Sequence, residues 1–365
     1  MPGWRARLAR LAPAPRVVDW SLFGLALAAL GTGLLSLGAG RPGAAALFLA
    51  HGVVGVALAA LLAAKLRRVA GRLRDPRAWD RATPVSVATA LVVALALLTG
   101  AGWALGATVP LDFWTLLNVH ILFGLLVVPL VLAHLSARFR PLRGRDVDGR
   151  RDALRYAGLV LAGVATVRLG DALARALDTA AADARFTGSR PLDDDGDGTP
   201  DGDGNAAFPV TSWVADDPDP VDPDAWSLRV DGLVADATEL GTADLSPESA
   251  DRALLDCTSG WYTVQDWAGV RLGDVLDDAG VRDEARWVVV RSVTGYRWSF
   301  PLAEARGALL ATHVGGERLS HGHGYPVRLV VPGRRGFQWI KWVERVEVRR
   351  RPDLGQYVAT LTSGL

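Results

Sequence analysis

Lysine is almost missing from this 365-residue chain: of 40 basic residues only Lys65 and Lys341 are lysines. Each marks a position where the chain's default cation, arginine, was not used. Cysteine is scarcer still. Cys257 stands alone, which excludes any intrachain disulfide. Net charge is close to zero at +1, but the balance hides a division. Residues 1–176 carry 21 Lys+Arg against 8 Asp+Glu, whereas residues 177–365 carry 19 against 31. Half of the residues are hydrophobic and the mean hydropathy is +0.20. A basic apolar half followed by an acidic half reads as a membrane part and a water-facing part. A single globular domain and an ordinary cytosolic enzyme are excluded. A nucleic-acid partner is excluded as well, because the basic residues lie between apolar spans and not on one face.

Four apolar stretches, near 17–38, 43–64, 84–108 and 113–136, reach the roughly 20 residues that a bilayer requires. A fifth, near 153–176, contains Arg168 and Asp171. Arginines cluster before the first span, after the second and after the fourth. The positive-inside rule therefore places the N-terminus in the cytoplasm. Five spans then put residues 177–365 outside, in a multi-pass cell-membrane protein with an extracytoplasmic catalytic part. Without the fifth span that part is cytoplasmic. Arg168 and Asp171 are three residues apart, so they share a helix face and can pair. Arg150-Arg151 before an apolar run resembles an internal twin-arginine export signal; a plain basic stop is the alternative.

The first four spans repeat at an offset of 69 residues. Gly31 and Gly33 match Gly100 and Gly102, His51 matches His120, Gly55 matches Gly124, and Lys65 matches His134. Two duplicated hairpins predict a four-helix bundle with a fifth anchoring helix. A histidine inside a span is costly and is a functional candidate by default. His51 and His120 fall at matched depth, the arrangement two axial ligands of a haem b need. His134 lies 14 residues beyond His120, about 21 Å along the helix, where a second haem would sit. Its repeat partner is Lys65 instead of histidine. The pattern resembles the di-haem cytochrome b membrane subunits of respiratory enzymes, with the second pair broken. Hydrogen bonding between helices is the other reading of His51 and His120.

Residues 177–207 form an acidic linker. Its DDDGDGTPDGDGN run, Asp193 to Asp203 with flanking residues, resembles extracellular calcium loops. A solvated flexible linker is the alternative.

From Phe208 to about residue 350, short strand patterns and two short helices predict an α+β domain, followed by a tail at 351–365. Cys257 sits in LLDCTSGW, a loop entered from an apolar strand. LLDCTSGWYTVQDWAGVRLGDVL resembles the molybdenum-ligand loop of the sulfite oxidase-like molybdopterin oxidoreductases. HGHGYPVRLVVPGRRGFQWIKWVERVEV is similar to that family's cofactor-binding stretch. The resemblance implies a mixed α+β domain binding one Mo-molybdopterin. It implies Cys257 as the catalytic thiolate on molybdenum, which suits a soft, redox-active metal. It implies His323 as a pterin contact and Arg328 and Lys341 on the cofactor phosphate. Trp339 and Ile340 fall in the same binding run. Thr294, with Ser292 as the alternative, matches a hydroxyl contact, and the N-terminal contacts fall near Thr211 and Ser212.

Animal and plant sulfite oxidases carry arginines soon after the cysteine; here Gly260, Trp261 and Tyr262 stand there. About 15 residues follow Val348, too few for a sandwich domain of about 100 residues. Both features resemble the periplasmic methionine sulfoxide reductase type. The sequence thus predicts a membrane-anchored oxidoreductase that transfers an oxygen atom to or from a small molecule. Its electrons would pass through a haem b to or from the quinone pool or an external carrier. Three alternatives remain: a haem-free anchor, a cofactor-free binding module, and a cytochrome b with an accessory domain.

Overall fold

The computed structural model describes residues 14–109, 114–146, 149–192, 208–212 and 216–363. The Asp193–Asp203 run proposed for calcium lies outside them. The chain divides at about residue 190 into two compact units.

The first unit holds five helices: α1 (Pro15–Leu37), α2 (Ala45–Arg74), α3 (Thr83–Ala104), α4 (Leu116–Arg138) and α5 (Gly149–Ala176). All five are long and apolar enough to cross a membrane. Their boundaries follow local chemistry. Prolines open α1 and α3, where the missing N–H would have no helical partner anyway. The Thr115 side chain accepts from the Asn118 amide to cap α4, satisfying a donor left over at the helix start. α1 packs mainly on α2, α3 on α4, and α5 on α2. The two hairpins are thus the two sequence repeats. Leu35, Leu98 and Leu161 point outward and are more than half exposed, as lipid-facing side chains must be. In α5, Arg168 and Asp171 lie 3.7 Å apart, the pairing their spacing predicts.

The second unit is α+β. One sheet places β3 (Ser249–Asp256) against β4 (Trp261–Arg271). β4 in turn pairs with β7 (Leu309–Val314), and β7 with β8 (Glu317–Arg318) and β9 (Arg328–Val330), all antiparallel. The second sheet runs β2 (Thr238–Leu240), β1 (Leu228–Gly232), β10 (Val343–Arg349), β5 (Trp287–Ser292), β6 (Arg297–Pro301). Only β1 and β10 run parallel. Short helices α6 (Leu272–Asp278) and α7 (Leu302–Ala305) follow β4 and β6. The alternation of strand residues fixes which face is covered. In β10, Val346 and Val348 are fully buried while Glu347 between them is not. Leu228, Val288, Val290, Leu309, Leu310, Trp267 and Trp339 belong to the same core.

The C-terminal residues differ from the separate tail expected from sequence. Helix α8 (Gln356–Thr362) docks on β6: the Ser299 amide donates to Gln356 Oε1 at 2.8 Å, and the rings of Trp298 and Tyr357 meet edge-to-face. Asp353 accepts from Arg297 at 2.5 Å. The domain therefore continues past residue 350. Its last turn carries a hydrophobic–polar pattern too short to be told from a loop by periodicity.

Candidate active site and the histidine pair

Cys257 sits at the tight connection from β3 to β4. Its amide donates to the Trp261 carbonyl at 2.9 Å and its carbonyl accepts from the Gly260 amide at 3.1 Å. Gly260 has φ +100, a left-handed conformation that costs a side-chain-bearing residue energy. The Ser259 amide lies 3.4 Å from the Cys257 Sγ, and the Thr211 hydroxyl 3.7 Å from it. Below the loop, Arg335 and Asp256 form an ion pair at 3.2 Å with both side chains under 5% exposed. Arg335 also donates to the Cys257 carbonyl at 3.1 Å. Arg335 was not singled out in the sequence. The signal was an Asp immediately before the cysteine and a twin Arg in the second motif, each in apolar surroundings.

Two cations converge near this cysteine. Arg328, on β9, is 4% exposed. One guanidinium nitrogen donates to the His323 carbonyl at 3.1 Å, and Nε has no partner. Burial pushes its pKa down to about 10, and the neighbouring Cys257 partly offsets this. Lys341 Nζ donates to the Gly322 carbonyl at 2.5 Å and lies 3.4 Å from Ser212 Oγ. Burial, and then Arg328, push the Lys341 pKa down to about 7. Among the described residues, no carboxylate lies within ion-pair distance of either cation. Asp216 is near enough to act on Lys341 through space. It is buried with one carboxylate oxygen unpartnered, and Thr294 lies against it. Burial raises its pKa.

A buried cation and a half-buried one without an ion pair, Arg328 and Lys341, are costly unless an anion joins them. The residues present therefore fit a phosphate-bearing cofactor set beside a thiolate. Gly324 shapes the same corner. Its φ is +108, and a Cβ there would come within 3.0 Å of the Lys341 side chain.

The other expected contacts have different surroundings. His323 has Nδ1 on Ser320 Oγ at 2.7 Å and Nε2 on the Phe208 carbonyl at 2.9 Å, so both ring nitrogens are engaged within the protein. In this arrangement it positions the Phe208 segment and presents its carbonyl to Arg328. Trp339 stacks edge-on against Trp267 in the core, and its amide donates to the Gly336 carbonyl. The Ile340 carbonyl accepts from the Leu329 amide at 2.7 Å. These two hold the floor beneath Lys341.

Residues 215–357 match the family model of the oxidoreductase molybdopterin binding domain. The chain is 31% identical over 175 residues to the uncharacterized oxidoreductase YuiH of Bacillus subtilis, a match covering 47% of this chain and 88% of that protein. This chain belongs to the sulfite oxidase-like molybdopterin oxidoreductases. It is also 31% identical over 145 residues to the methionine-sulfoxide reductase catalytic subunit MsrP of Gluconobacter oxydans, covering 34% of this chain and 46% of the relative. Mouse mitochondrial sulfite oxidase is 40% identical over 106 residues, covering 26% and 19% of the two chains. The chain thus spans less than half the length of these two relatives. Membership in the family implies a molybdopterin cofactor. Five apolar helices make this molybdopterin oxidoreductase a multi-pass membrane protein.

Inside the helical unit of this oxidoreductase, His51 on α2 and His120 on α4 face each other, with ring centroids 6.0 Å apart and planes at 84°. The His120 Nδ1 meets the Ala96 carbonyl at 2.8 Å. A carbonyl only accepts, so Nδ1 carries the proton. The Thr32 hydroxyl donates to the Ala28 carbonyl at 2.7 Å, so it accepts from His51 Nδ1 at 2.9 Å. The His51 ring also hydrogen-bonds the Ala29 backbone. Gly100 makes room for the His120 ring. A Cβ there would lie 2.8 Å from the His120 ring, and one at Gly33 would lie 3.4 Å from His51. Gly55 and Gly124, one turn beyond each histidine, touch neither ring. His134 is elsewhere, with Nδ1 3.1 Å from Ser86 Oγ.

Proposed function

We propose that this membrane-anchored oxidoreductase performs oxygen-atom transfer at a molybdenum held by Cys257, exchanging electrons with the membrane through a haem b on His51 and His120. The observation that carries the catalytic half is the pair of cations without an ion pair, buried Arg328 and half-buried Lys341, beside a cysteine with an amide aimed at its sulfur. When bound, molybdopterin supplies two-electron chemistry at the metal. The chain's own residues then do the following. Cys257 donates its thiolate, and Asp256 and Arg335 fix the loop that aims it. Arg328 binds phosphate oxygens, and Lys341 adds a point charge. Thr294 and Asp216 border the same corner with groups able to hold a proton.

Gly260, Trp261 and Tyr262 follow the cysteine where arginines would recognise an anion. This favours an uncharged oxo-substrate of the sulfoxide class over sulfite. The electron path rests on the facing imidazoles of His51 and His120. A haem there supplies one-electron transfer, and the bundle's role is to hold both imidazoles in the Nδ1–H tautomer.

The Cys257→Ser protein, with cofactor occupancy measured alongside, tests the catalytic reading. Turnover of a sulfoxide with a reduced dye is expected to vanish while the phosphate contacts retain the pterin. Unchanged turnover overturns the assignment. Replacing His51 or His120 by Leu is expected to abolish a b-type absorbance that His134→Leu leaves in place. Absence of haem from the wild-type protein leaves the bundle as an anchor.

A further inference from the structure

Helix α8 is built inside out. Gln356, Ala359 and Ser363 are buried, and polar contacts hold that side down. Gln356 Oε1 accepts from the Ser299 amide at 2.8 Å, and the Asp353 carboxylate ahead of the helix accepts from Arg297 at 2.5 Å. Tyr357 and Val358 project from the outward side, and Leu354 from the turn that leads into it. The three are 75% (Leu354), 60% (Tyr357) and 63% (Val358) exposed. The Tyr357 ring meets half-buried Trp298 edge-to-face at 5.6 Å. The chain enters this turn through Arg350 and Arg351. Both are exposed, and neither has a carboxylate within ion-pair distance among the described residues. Residues 349–365 carry three arginines and one aspartate, within a half of the chain that carries 19 Lys+Arg against 31 Asp+Glu.

A helix on a water-facing surface turns its apolar side inward, so this outward apolar turn marks a contact surface. Its size decides with what. Three side chains fall far short of the roughly 800 Å² per partner that a stable protein interface needs. A second copy fits poorly as well, because a two-fold contact through this patch would bring the same arginines together. A membrane fits. Five helices of the same chain are long and apolar enough to cross one, which keeps lipid at high effective concentration and makes a weak contact sufficient. Exposed leucine and valine beside a tyrosine, a tryptophan and two unpaired arginines suit a lipid interface: aliphatic groups at the acyl boundary, rings at headgroup level, guanidinium groups on phosphate. We propose that the α8 turn docks the α+β unit on the surface of an anionic bilayer. Leu354, Tyr357 and Val358 enter the interface, and Arg350 and Arg351 pair with phospholipid phosphates. The docking does not depend on whether the bundle carries haem.

The experiment uses the full chain, one copy per nanodisc, in phosphatidylcholine alone or mixed with phosphatidylglycerol. Each disc carries a trace of phosphatidylcholine with a diazirine near the glycerol end of its acyl chain. After illumination, peptide mapping is expected to find label between Pro352 and Thr362 as well as on the five spans. Phosphatidylglycerol should raise the docked-to-undocked ratio about thirtyfold, the effect of two arginines near an anionic surface, read as label on this segment relative to the spans. Arg350→Glu with Arg351→Glu should remove that rise, and Leu354→Ser with Val358→Ser should remove the label itself. Circular dichroism identifies a variant that has failed to fold, in which case the two lipid mixtures on the wild-type protein decide. No label between Pro352 and Thr362 while the spans are labelled, label indifferent to phosphatidylglycerol, label unchanged in folded Leu354→Ser/Val358→Ser, or label that appears only in discs holding two copies overturns the proposal.

Discussion

Lys341 shows how a single side chain records what its site is made to hold. In the cofactor-free protein its pKa is about 7, against 10.5 for an ordinary lysine. Between those values the unfolded chain binds a proton that the folded chain has released, so stability rises with pH across that window. Below about 7 both states are charged and the burial penalty is complete. The thermal midpoint of cofactor-free protein in detergent is expected to increase from pH 7 to pH 9.5, and Lys341→Met should flatten that rise. A wild-type midpoint indifferent to pH would contradict the desolvation of this half-buried ammonium. Lys341→Arg should weaken pterin retention, since a planar fork replaces a compact charge in a corner shaped by Gly324. Full occupancy in that variant would sink its assigned role. Gly100 is the corresponding residue of the bundle. Gly100→Ala puts a methyl against the His120 ring and is expected to cost about 2 kcal/mol by overpacking, read as a lowered midpoint together with loss of any absorbance due to the histidine pair.

At the scale of elements, the β3–β4 connection is the part on which the chemistry depends. It is short, its Gly260 is left-handed, and its base is the buried Asp256–Arg335 pair. Removing one partner leaves the other charge buried and unpaired, a loss of about 3–5 kcal/mol. Arg335→Leu is therefore expected to unfold at much lower denaturant than Cys257→Ser, which leaves that pair intact. Equal midpoints for the two variants would show that the pair does not hold the loop. Helix α8 adds to the second sheet through Gln356 and Tyr357, so a chain ended before residue 353 should lose stability as well.

The whole molecule joins a bundle with outward-facing leucines to an acidic α+β unit, and the arginine clusters set its expected direction. If residues 177–365 are outside, protease added to intact cells should release the molybdopterin-binding unit from the membrane. Release only after lysis would reverse the topology. The Arg168–Asp171 pair in α5 makes that fifth crossing cheaper than two separate charges would be.

The sequence by itself determined the two-part organisation, the helical spans, the repeat that matches His51 to His120, and the two motifs around Cys257 and Lys341. These are local or periodic signals, carried by hydropathy over windows of about 20 residues and by unbroken segments of the chain. It did not determine that Arg335 and Asp256, 79 residues apart, share one buried ion pair. Nor did it determine that His323 spends both nitrogens on Ser320 and Phe208, or that the last helix belongs to the domain. Each of those depends on which strands lie side by side. Tertiary structure alone decided the tautomers of the facing membrane histidines, because a ring nitrogen takes its proton according to the partner that packing brings to it: a carbonyl for His120, and for His51 a hydroxyl whose hydrogen is already spent.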